Sequence, residues 1–342
     1  MSMTDSLAPD CSTGRGNASP ANNADRGVGS PCTGQYLHAQ PGDLIDVALK
    51  DFRPTQAVLG YDEVYYKLGR YRSSKDVLAG GFNKKFDDWC EASGQEKAAS
   101  VSANARLDDP ASFTCTVAVG SETPATGAPM KTAVVGPAGQ LYLTDGHHTF
   151  TSFWHTPDGG PSMHVRVRVT GNLSHMSAAA FWQEMQKQGW VWLFDENNAP
   201  ITVADLPQQL GLSNFKNDVY RGALYFTRDI GYAQLPEHAA FQEFYWAQWV
   251  RTGGNPALTP ANFNLNDLTS YLTLVENLSR AMTALGDNDM VSAGKTALSL
   301  GKLAAWNAGA AKTKGEFAKL SKPITDAKPG KLAFAIDYRL NP

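Results

Sequence analysis

The sequence contains no stretch that approaches about 18 consecutive apolar residues, the length that predicts a membrane-spanning helix. It also has no marked excess of charge of either sign, because 30 basic and 33 acidic residues leave a formal net charge of -3. Proteins that bind long duplex DNA without regard to its sequence carry a basic excess, so this balance argues against that class. A local cationic groove remains compatible with it.

Cysteine is scarce, with four residues, and none of them has a C-x-x-C or other metal-binding spacing. Three disulfide pairings are open to them; the local one joins Cys11 to Cys32 and Cys90 to Cys115, and free thiols are the alternative. Residues 1–35 are rich in Gly, Ser, Asn and Pro, which predicts a disordered or disulfide-stapled arm. The first residues do not show the charged and apolar regions of a signal peptide.

What the sequence does have is enough apolar residues, 42% of 342, to fill a sizeable core. Apolar periodicity predicts the secondary structure. Helices are predicted at 61–68, 82–91, 177–188, 268–285 and 290–311, and strands at 44–49, 113–119, 163–169 and 332–338. Residues 131–135 and 140–143 are predicted to form a β-hairpin.

The second arm of that hairpin leads into the polar turn Asp145-Gly146-His147-His148, and an apolar helix pattern begins at Thr149. A strand-to-helix turn exposes backbone N–H groups that suit a phosphate or carboxylate, and Gly146 allows such a ligand to approach closely. The carboxylate and the two imidazoles supply titratable groups for phosphoester chemistry or for a metal. The alternative is structural: Asp145 as a helix cap, Gly146 as a turn residue and the histidines as polar surface.

Two further elements carry polar groups. Arg53-Pro54-Thr55-Gln56 offers an arginine and an amide as phosphate donors, although it also fits a helix-entry turn with a solvated arginine. In the second half, Asp218, Arg221, Glu243 and Arg251 lie among many aromatic residues. Charges in such surroundings either pair with one another or face a cleft. An ion-pair network that only docks the two halves is the alternative.

These elements, together with the segment Tyr-Leu-Thr-Asp-Gly-His-His, resemble the ParB/sulfiredoxin superfamily and within it the ParB-like nuclease branch. That branch has "Y-L-x-D-G-H-H", "R-P-T-Q-x-x-x-G", "D-x-Y-R-S-L" and "E-F-x-W-A-x-x-x-R" elements. The resemblance extends over residues 44–252, and Gly222 stands where the pattern usually has serine.

The resemblance implies an α+β fold, in which a small mixed α/β ParB/sulfiredoxin-like domain at 36–172 is followed by a mostly helical region. Residues 173–255 are expected to close the site, and 256–342 to form a helical C-terminal extension. In a related phosphotransferase branch an early glutamate is the base, which makes Glu63 a candidate here. The expected catalytic residues are Asp145, His147, His148 and Glu63, and the expected substrate-binding residues are Arg53, Thr55, Gln56, Gly146, Thr149, Arg221 and Glu243.

The function that the resemblance implies is that of a phosphodiesterase or nuclease. Sulfiredoxin activity is excluded because the turn has no cysteine, and chromosome partitioning is disfavoured because His148 and Thr149 replace the arginine pattern. A nucleotide-dependent phosphotransferase for a small molecule and a nucleotide-binding module without turnover are the alternatives. The expected ligand is a nucleotide or nucleic-acid phosphate, with a divalent metal such as Mg²⁺ as a candidate cofactor. Because members of the branch are often exported, a periplasmic or secreted location is favoured over the cytoplasm; the oligomeric state stays open.

Overall fold

The computed structural model describes residues 34–75, 81–234, 240–292, 294–309 and 316–342. The predicted arm lies outside these ranges up to residue 33, and so does the pairing of Cys11 with Cys32. The described residues form an α+β fold, as the sequence predicts. None of the helices in these ranges is long and apolar enough to span a membrane.

Eleven strands and ten helices follow one another along the described chain. The strands are β1 (Leu44–Ala48), β2 (Phe52–Pro54), β3 (Val58–Leu59), β4 (Ala98–Val101), β5 (Phe113–Cys115), β6 (Thr132–Val135), β7 (Leu141–Leu143), β8 (His164–Asn172), β9 (Lys216–Asn217), β10 (Met290–Ser292) and β11 (Lys295–Thr296). The helices are α1 (Tyr61–Arg72), α2 (Lys84–Ala92), α3 (Pro124–Gly127), α4 (His147–His155), α5 (Ala178–Lys187), α6 (Val219–Tyr225), α7 (Gln242–Gly253), α8 (Leu268–Ala284), α9 (Glu316–Leu320) and α10 (Lys331–Leu340).

A five-stranded mixed sheet of order β1-β8-β6-β7-β2 is the centre of the first half. β6 and β7 form the predicted antiparallel hairpin, and β2 pairs with β7 in parallel. β8 lies antiparallel to β1 and parallel to β6. Val165, Val167 and Val169 of β8 are buried while Arg166 and Arg168 alternate with them, which confirms the predicted strand with a basic face.

Helices cover both faces of this sheet. α1, α2 and α4 pack on one face, where Phe52, Phe150 and Phe153 are fully buried. On the other face, Phe181 and Met185 of α5 pack against Val134 of β6. Because α4 follows β7 directly, the polar turn between them is held between the sheet and α1.

Most of the described chain after residue 218 packs around a second hydrophobic core, to which α6, α7, α8 and α10 contribute. Trp246, Tyr271 and Phe334 are buried in it. α10 lies directly against α1; a Cβ added at Gly69 would come within 2.5 Å of the carbonyl oxygen of Phe334. α1 therefore joins the sheet to the helical region.

Two sequence-based predictions in the C-terminal part are wrong. Residues 290–311 were expected to be a helix, but they begin with the β10–β11 pair and continue through turns. Gly294 and Gly301 have φ angles of 75° and 71°, which a right-handed helix does not allow. Residues 332–338 were expected to be a strand but belong to α10, where five consecutive residues are buried between neighbouring helices. An apolar run buried on all sides does not distinguish helix from strand by its pattern.

A disulfide joins Cys90 to Cys115, which is one of the local pairings open to the sequence. The Cα atoms of the two residues lie 5.7 Å apart. The bond connects the last turn of α2 to the end of β5, and so holds the β4–β5 hairpin against α2.

Candidate functional site

The Asp145-Gly146-His147-His148 segment is a strand-to-helix turn, as predicted. β7 ends at Leu143, and α4 begins at His147 with Gly146 as its N-cap. Gly146 has a φ angle of 106°, and a Cβ there would come within 2.6 Å of the Lys131 side chain. Gly146, as the N-cap, has no side chain that could accept a hydrogen bond from the first N–H groups of α4.

Both histidines of the turn are buried and accept hydrogen bonds from backbone N–H groups. The N–H of Thr55 donates to Nε2 of His147 at 3.1 Å, and the N–H of Gly60 donates to Nε2 of His148 at 3.0 Å. An imidazole that accepts at Nε2 carries its proton on Nδ1 when it is neutral. Each ring therefore carries its proton on Nδ1. The Nδ1 of His148 faces the network beside it, 3.5 Å from Nη2 of Arg221 and 3.8 Å from Oε2 of Glu63.

Burial lowers the pKa of His147 from its ordinary value of 6.5 to about 3, although the charge of Asp145 opposes this change. Burial also lowers the pKa of His148 to about 3, and the positive charge of Arg221 adds to the effect. Both rings are consequently neutral near pH 7. The sequence suggested them as general acid or base, but this geometry suits hydrogen-bond donation better than proton abstraction.

A buried ion-pair network adjoins His148. Nη1 of Arg221 lies 2.6 Å from Oε2 of Glu63, and Nη2 lies 3.7 Å from Oε2 of Glu243. Arg228 and the Tyr232 hydroxyl each donate to Oε1 of Glu243 at 2.5 Å. The two carboxylates are thus neutralised by two guanidinium groups in a setting where an unpaired charge would cost several kcal/mol, on the order of 3–5.

The pKa values of the two carboxyls reflect this pairing. Burial by itself raises the pKa of Glu63, but the charge of Arg221, together with smaller contributions from neighbouring groups such as Arg228, brings the pKa down to about 2. Glu243 is also buried, and the charges of Arg228 and Arg221 hold its pKa well below the usual range. Both groups are therefore ionised at neutral pH and engaged with arginines.

Three helices that are distant in sequence bring the network to the turn. α1 carries Glu63, α6 carries Arg221, and α7 carries Glu243. α1 and α6 begin side by side; a Cβ on Gly60 would lie 2.6 Å from the Cα and nitrogen of Gly222. α1, α6 and α7 thus lie beside the turn.

The turn and the network line one cleft of about 870 Å³. The half-exposed carboxylate of Asp145 lies at the edge of the cleft, 3.5 Å from Nζ of Lys131. Gln56 and Thr149 also line the cleft. The lining has more cations than acids although the whole chain has a net charge of -3. The cationic side chains are those of Lys67, Arg70, Lys84, Lys131, Arg168, Arg221, Arg228 and Lys331, and the acidic ones are those of Glu63, Asp88, Glu91, Asp145 and Glu243.

Not every expected residue reaches this cleft. Arg53 donates from Nη1 to the carbonyl oxygen of Gln208 at 2.6 Å and does not line the cleft. In β2 its neighbours Phe52 and Pro54 point into the core, so strand alternation directs Arg53 away from it. Thr55 contributes through its backbone N–H to His147, while its hydroxyl donates to the Leu143 carbonyl oxygen at 2.7 Å.

Sequence reasoning missed several residues that line the cleft. Arg228 and Lys131 were not singled out, and Arg168 was seen only as part of a basic strand face. Lys131 and Arg168 come together because Thr132 of β6 pairs with Arg168 of β8. The alternation of β8 was the one signal that pointed to a cation there.

The described residues offer no evident set of ligands for the expected metal. Within the parts of the chain that the structure describes, no group of three or more His, Cys, Asp or Glu side chains could hold a metal ion. Glu63 and Glu243 each bind arginine, and each histidine of the turn uses Nε2 for a backbone N–H. The observed residues therefore do not fit a resident metal.

Comparison with known proteins places this geometry in context. A family model described as "Putative ParB-like nuclease" matches residues 45–252, which is more than half of the chain. The chain is also similar to the crystal structure of protein Atu1540 from Agrobacterium tumefaciens, at 19% sequence identity and a TM-score of 0.44, over 69% of this chain and 90% of that one. No curated protein sequence matches. The family match includes every predicted site residue, from Arg53 to Glu243.

Proposed function

Because the chain belongs to the "Putative ParB-like nuclease" family, we propose that it hydrolyses phosphodiester bonds of nucleic acid in the cleft beside the Asp145-Gly146-His147-His148 turn. One observation carries the proposal. The N-terminus of α4, where Gly146 is the N-cap, opens into a cleft in which cationic side chains outnumber acidic ones. A helix N-terminus with backbone N–H groups and nearby cations is suited to a phosphate group.

In this proposal the phosphate is bound by donors on the floor of the cleft. The first backbone N–H groups of α4 and the Nδ1–H group of His147 supply hydrogen bonds, and a neutral imidazole suits this role at pH 7. Lys131 and Arg221 supply positive charge as negative charge develops on the phosphoryl oxygens. Gln56, Gly146 and Thr149 line the same floor.

Glu63 and Glu243 have a positioning role in this proposal. Both hold Arg221, and the low pKa of Glu63 makes it a weak proton acceptor at neutral pH. Asp145 is the better candidate for the base that accepts a proton from the attacking water. Its carboxylate is half exposed at the edge of the cleft, where water has access, and Lys131 lies beside it.

The experiment is a substrate panel. The parent protein and Asp145→Asn are incubated with single-stranded DNA, duplex DNA, RNA, nucleoside triphosphates and bis(p-nitrophenyl) phosphate, with EDTA, Mg²⁺ or Mn²⁺. We expect cleavage of a nucleic acid and of the diester, and a loss of about 10²-fold or more in kcat for Asp145→Asn, because general base catalysis contributes on this order.

The control is Asp195→Asn, since Asp195 caps a local turn through its side chain and does not line the cleft. It should cleave like the parent. Hydrolysis of nucleoside triphosphates alone would replace the proposal with a nucleotide-dependent transferase. Binding of nucleotides without turnover under any condition would replace it with a binding module.

A further inference from the structure

A second cavity, of about 410 Å³, lies next to the catalytic cleft. The two cavities share the side chains of Tyr66, Arg70, Tyr225, Arg228 and Lys331. They are therefore neighbours along one surface, and a ligand longer than one nucleotide could occupy both.

The outer wall of the second cavity comes from the C-terminal part of the chain. α9 and residues 328–331, at the start of α10, line it. These residues lie well beyond residue 252, where the family match ends. One wall of the cavity therefore lies outside the part of the chain that matches the family.

Its lining combines an apolar floor with a cationic rim. Phe226, Ile230, Leu320 and Phe334 are buried apolar residues of the floor. Nζ of Lys331 lies 5.4 Å from the ring centroid of Tyr225, within the range of a cation–π contact. The remaining charged residues of the lining are Lys319, Lys322, Lys328 and Glu316, of which Glu316 forms an ion pair with Lys319.

Part of this positive charge is uncompensated. In the ranges that the structure covers, no carboxylate forms an ion pair with Lys328 or Lys331. Arg228 binds Glu243 through Nη2, but its buried Nε has no hydrogen-bond partner among the described residues. An anionic group at the rim would meet both the unpaired lysines and the common wall of the two cavities.

We propose that this cavity binds a nucleotide unit of a single-stranded nucleic acid whose neighbouring phosphodiester occupies the catalytic cleft. The apolar floor suits an unpaired base, and the lysine rim suits the phosphate that follows it. A duplex would keep its bases paired and unavailable to a cavity of this size. The inference rests on the proposed function and narrows its substrate class to a strand of two or more nucleotides.

The test is a double charge reversal, Lys319→Glu with Lys328→Glu. Both side chains are exposed and line the second cavity but not the catalytic cleft. The matched control is Lys50→Glu with Lys187→Glu, which makes the same change in charge at exposed positions outside both cavities. Melting temperatures and circular dichroism establish that both variants are folded, and Lys319→Gln with Lys328→Gln provides a milder second variant.

Two measurements distinguish the role of the second cavity from that of the catalytic cleft. Fluorescence anisotropy measures binding of a phosphorothioate single-stranded twelve-mer over a range of salt concentrations, and bis(p-nitrophenyl) phosphate, which needs only the catalytic cleft, measures turnover. We expect the cavity variant to bind the strand about tenfold more weakly, with a salt slope smaller by roughly 0.7 per lost phosphate contact. Its turnover of the small diester should equal that of the control.

Equal binding of the strand by the cavity variant and the control would overturn the inference, and so would a lysine-dependent preference for duplex over single strand. A parent protein that binds the twelve-mer no better than a mononucleotide would also overturn it. If the parent binds the strand through these lysines but cleaves no substrate, the cavity stands and the proposed function fails. If the parent cleaves the small diester but the lysines do not affect strand binding, the proposed function stands and the inference about the cavity fails.

Discussion

Nδ1 of His148 lies 3.5 Å from Nη2 of Arg221, although 73 residues separate them in the chain. The same guanidinium binds Glu63 through Nη1, so one arginine of α6 is held to α1 beside the polar turn before α4. His148 in turn accepts a hydrogen bond from the N–H of Gly60, the residue before α1. The turn, α1 and α6 are thus held together by side chains of the site itself.

The buried histidines are expected to make the fold sensitive to acid. The pKa of His147 and of His148 is about 3 in the folded chain and about 6.5 in the unfolded chain. Between these values the unfolded chain takes up protons that the folded chain does not, so the free energy of unfolding decreases as the pH falls from about 6.5 toward 3. Each histidine contributes about 1.4 kcal/mol per pH unit in this window.

Urea denaturation of the parent and of His148→Gln at several pH values between 7 and 4 checks this expectation. The parent should lose stability more steeply than the variant, by the contribution of one histidine. The same pH dependence in both proteins would show that His148 is not a buried neutral group.

Gly60→Ala is expected to disturb the site through the backbone. Its new methyl group would lie 2.6 Å from the Cα and nitrogen of Gly222, so α1 and α6 must separate, and Glu63 must move relative to Arg221. Overpacking of this kind costs about 1–3 kcal/mol. The melting temperature and the nuclease turnover should both decrease.

Gly222→Ser is the matched control for that change. A Cβ at Gly222 meets only ordinary contacts, 3.6 Å from the Cβ of Asp62 and from the Cα of Gly60. It also restores the serine of the pattern that the sequence resembles. The expected result is a melting temperature close to that of the parent; equal losses in the two variants would contradict the proposed close approach of the helices.

The disulfide is expected to stabilise the first half of the chain. Cys90 and Cys115 are 25 residues apart, and closing a loop of this length contributes about 3 kcal/mol to the free energy of unfolding. The double variant Cys90→Ala with Cys115→Ala should unfold at lower urea concentration than the parent, and a reductant should lower the stability of the parent but not of the variant. A parent whose stability does not respond to reductant would show that the bond contributes little.

The local part of this structure was predictable from the sequence. The hairpin, the turn at Gly146 and the helix after it follow from apolar alternation, a glycine and an apolar run that are adjacent in the chain. The sequence also suggested that Arg221 and Glu243 either pair with other charges or face a cleft, because isolated charges are costly in an aromatic segment.

What the sequence could not provide depends on contacts between distant segments. The direction of Arg53 is set by burial of Phe52 and Pro54 on the other side of β2. Arg228 belongs to the site through its ion pair with Glu243 of α7. α10 is a helix because α1 packs against it, whereas its apolar run alone was compatible with a strand.

The most direct test of the site compares Arg221→Gln with Arg251→Gln by kcat/KM on a single-stranded oligonucleotide, normalised to the folded fraction. Both arginines come from the helical region and pair with a carboxylate, Arg251 with Asp218 at 2.7 Å, but only Arg221 lines the cleft. Loss of either should lower stability. We predict that Arg221→Gln loses about 10²-fold or more in kcat/KM, because it removes the positive charge that stabilises the developing phosphoryl anion. Arg251→Gln should retain the turnover of the parent. Full turnover by the folded fraction of Arg221→Gln would contradict the account and leave the arginine with a structural role alone.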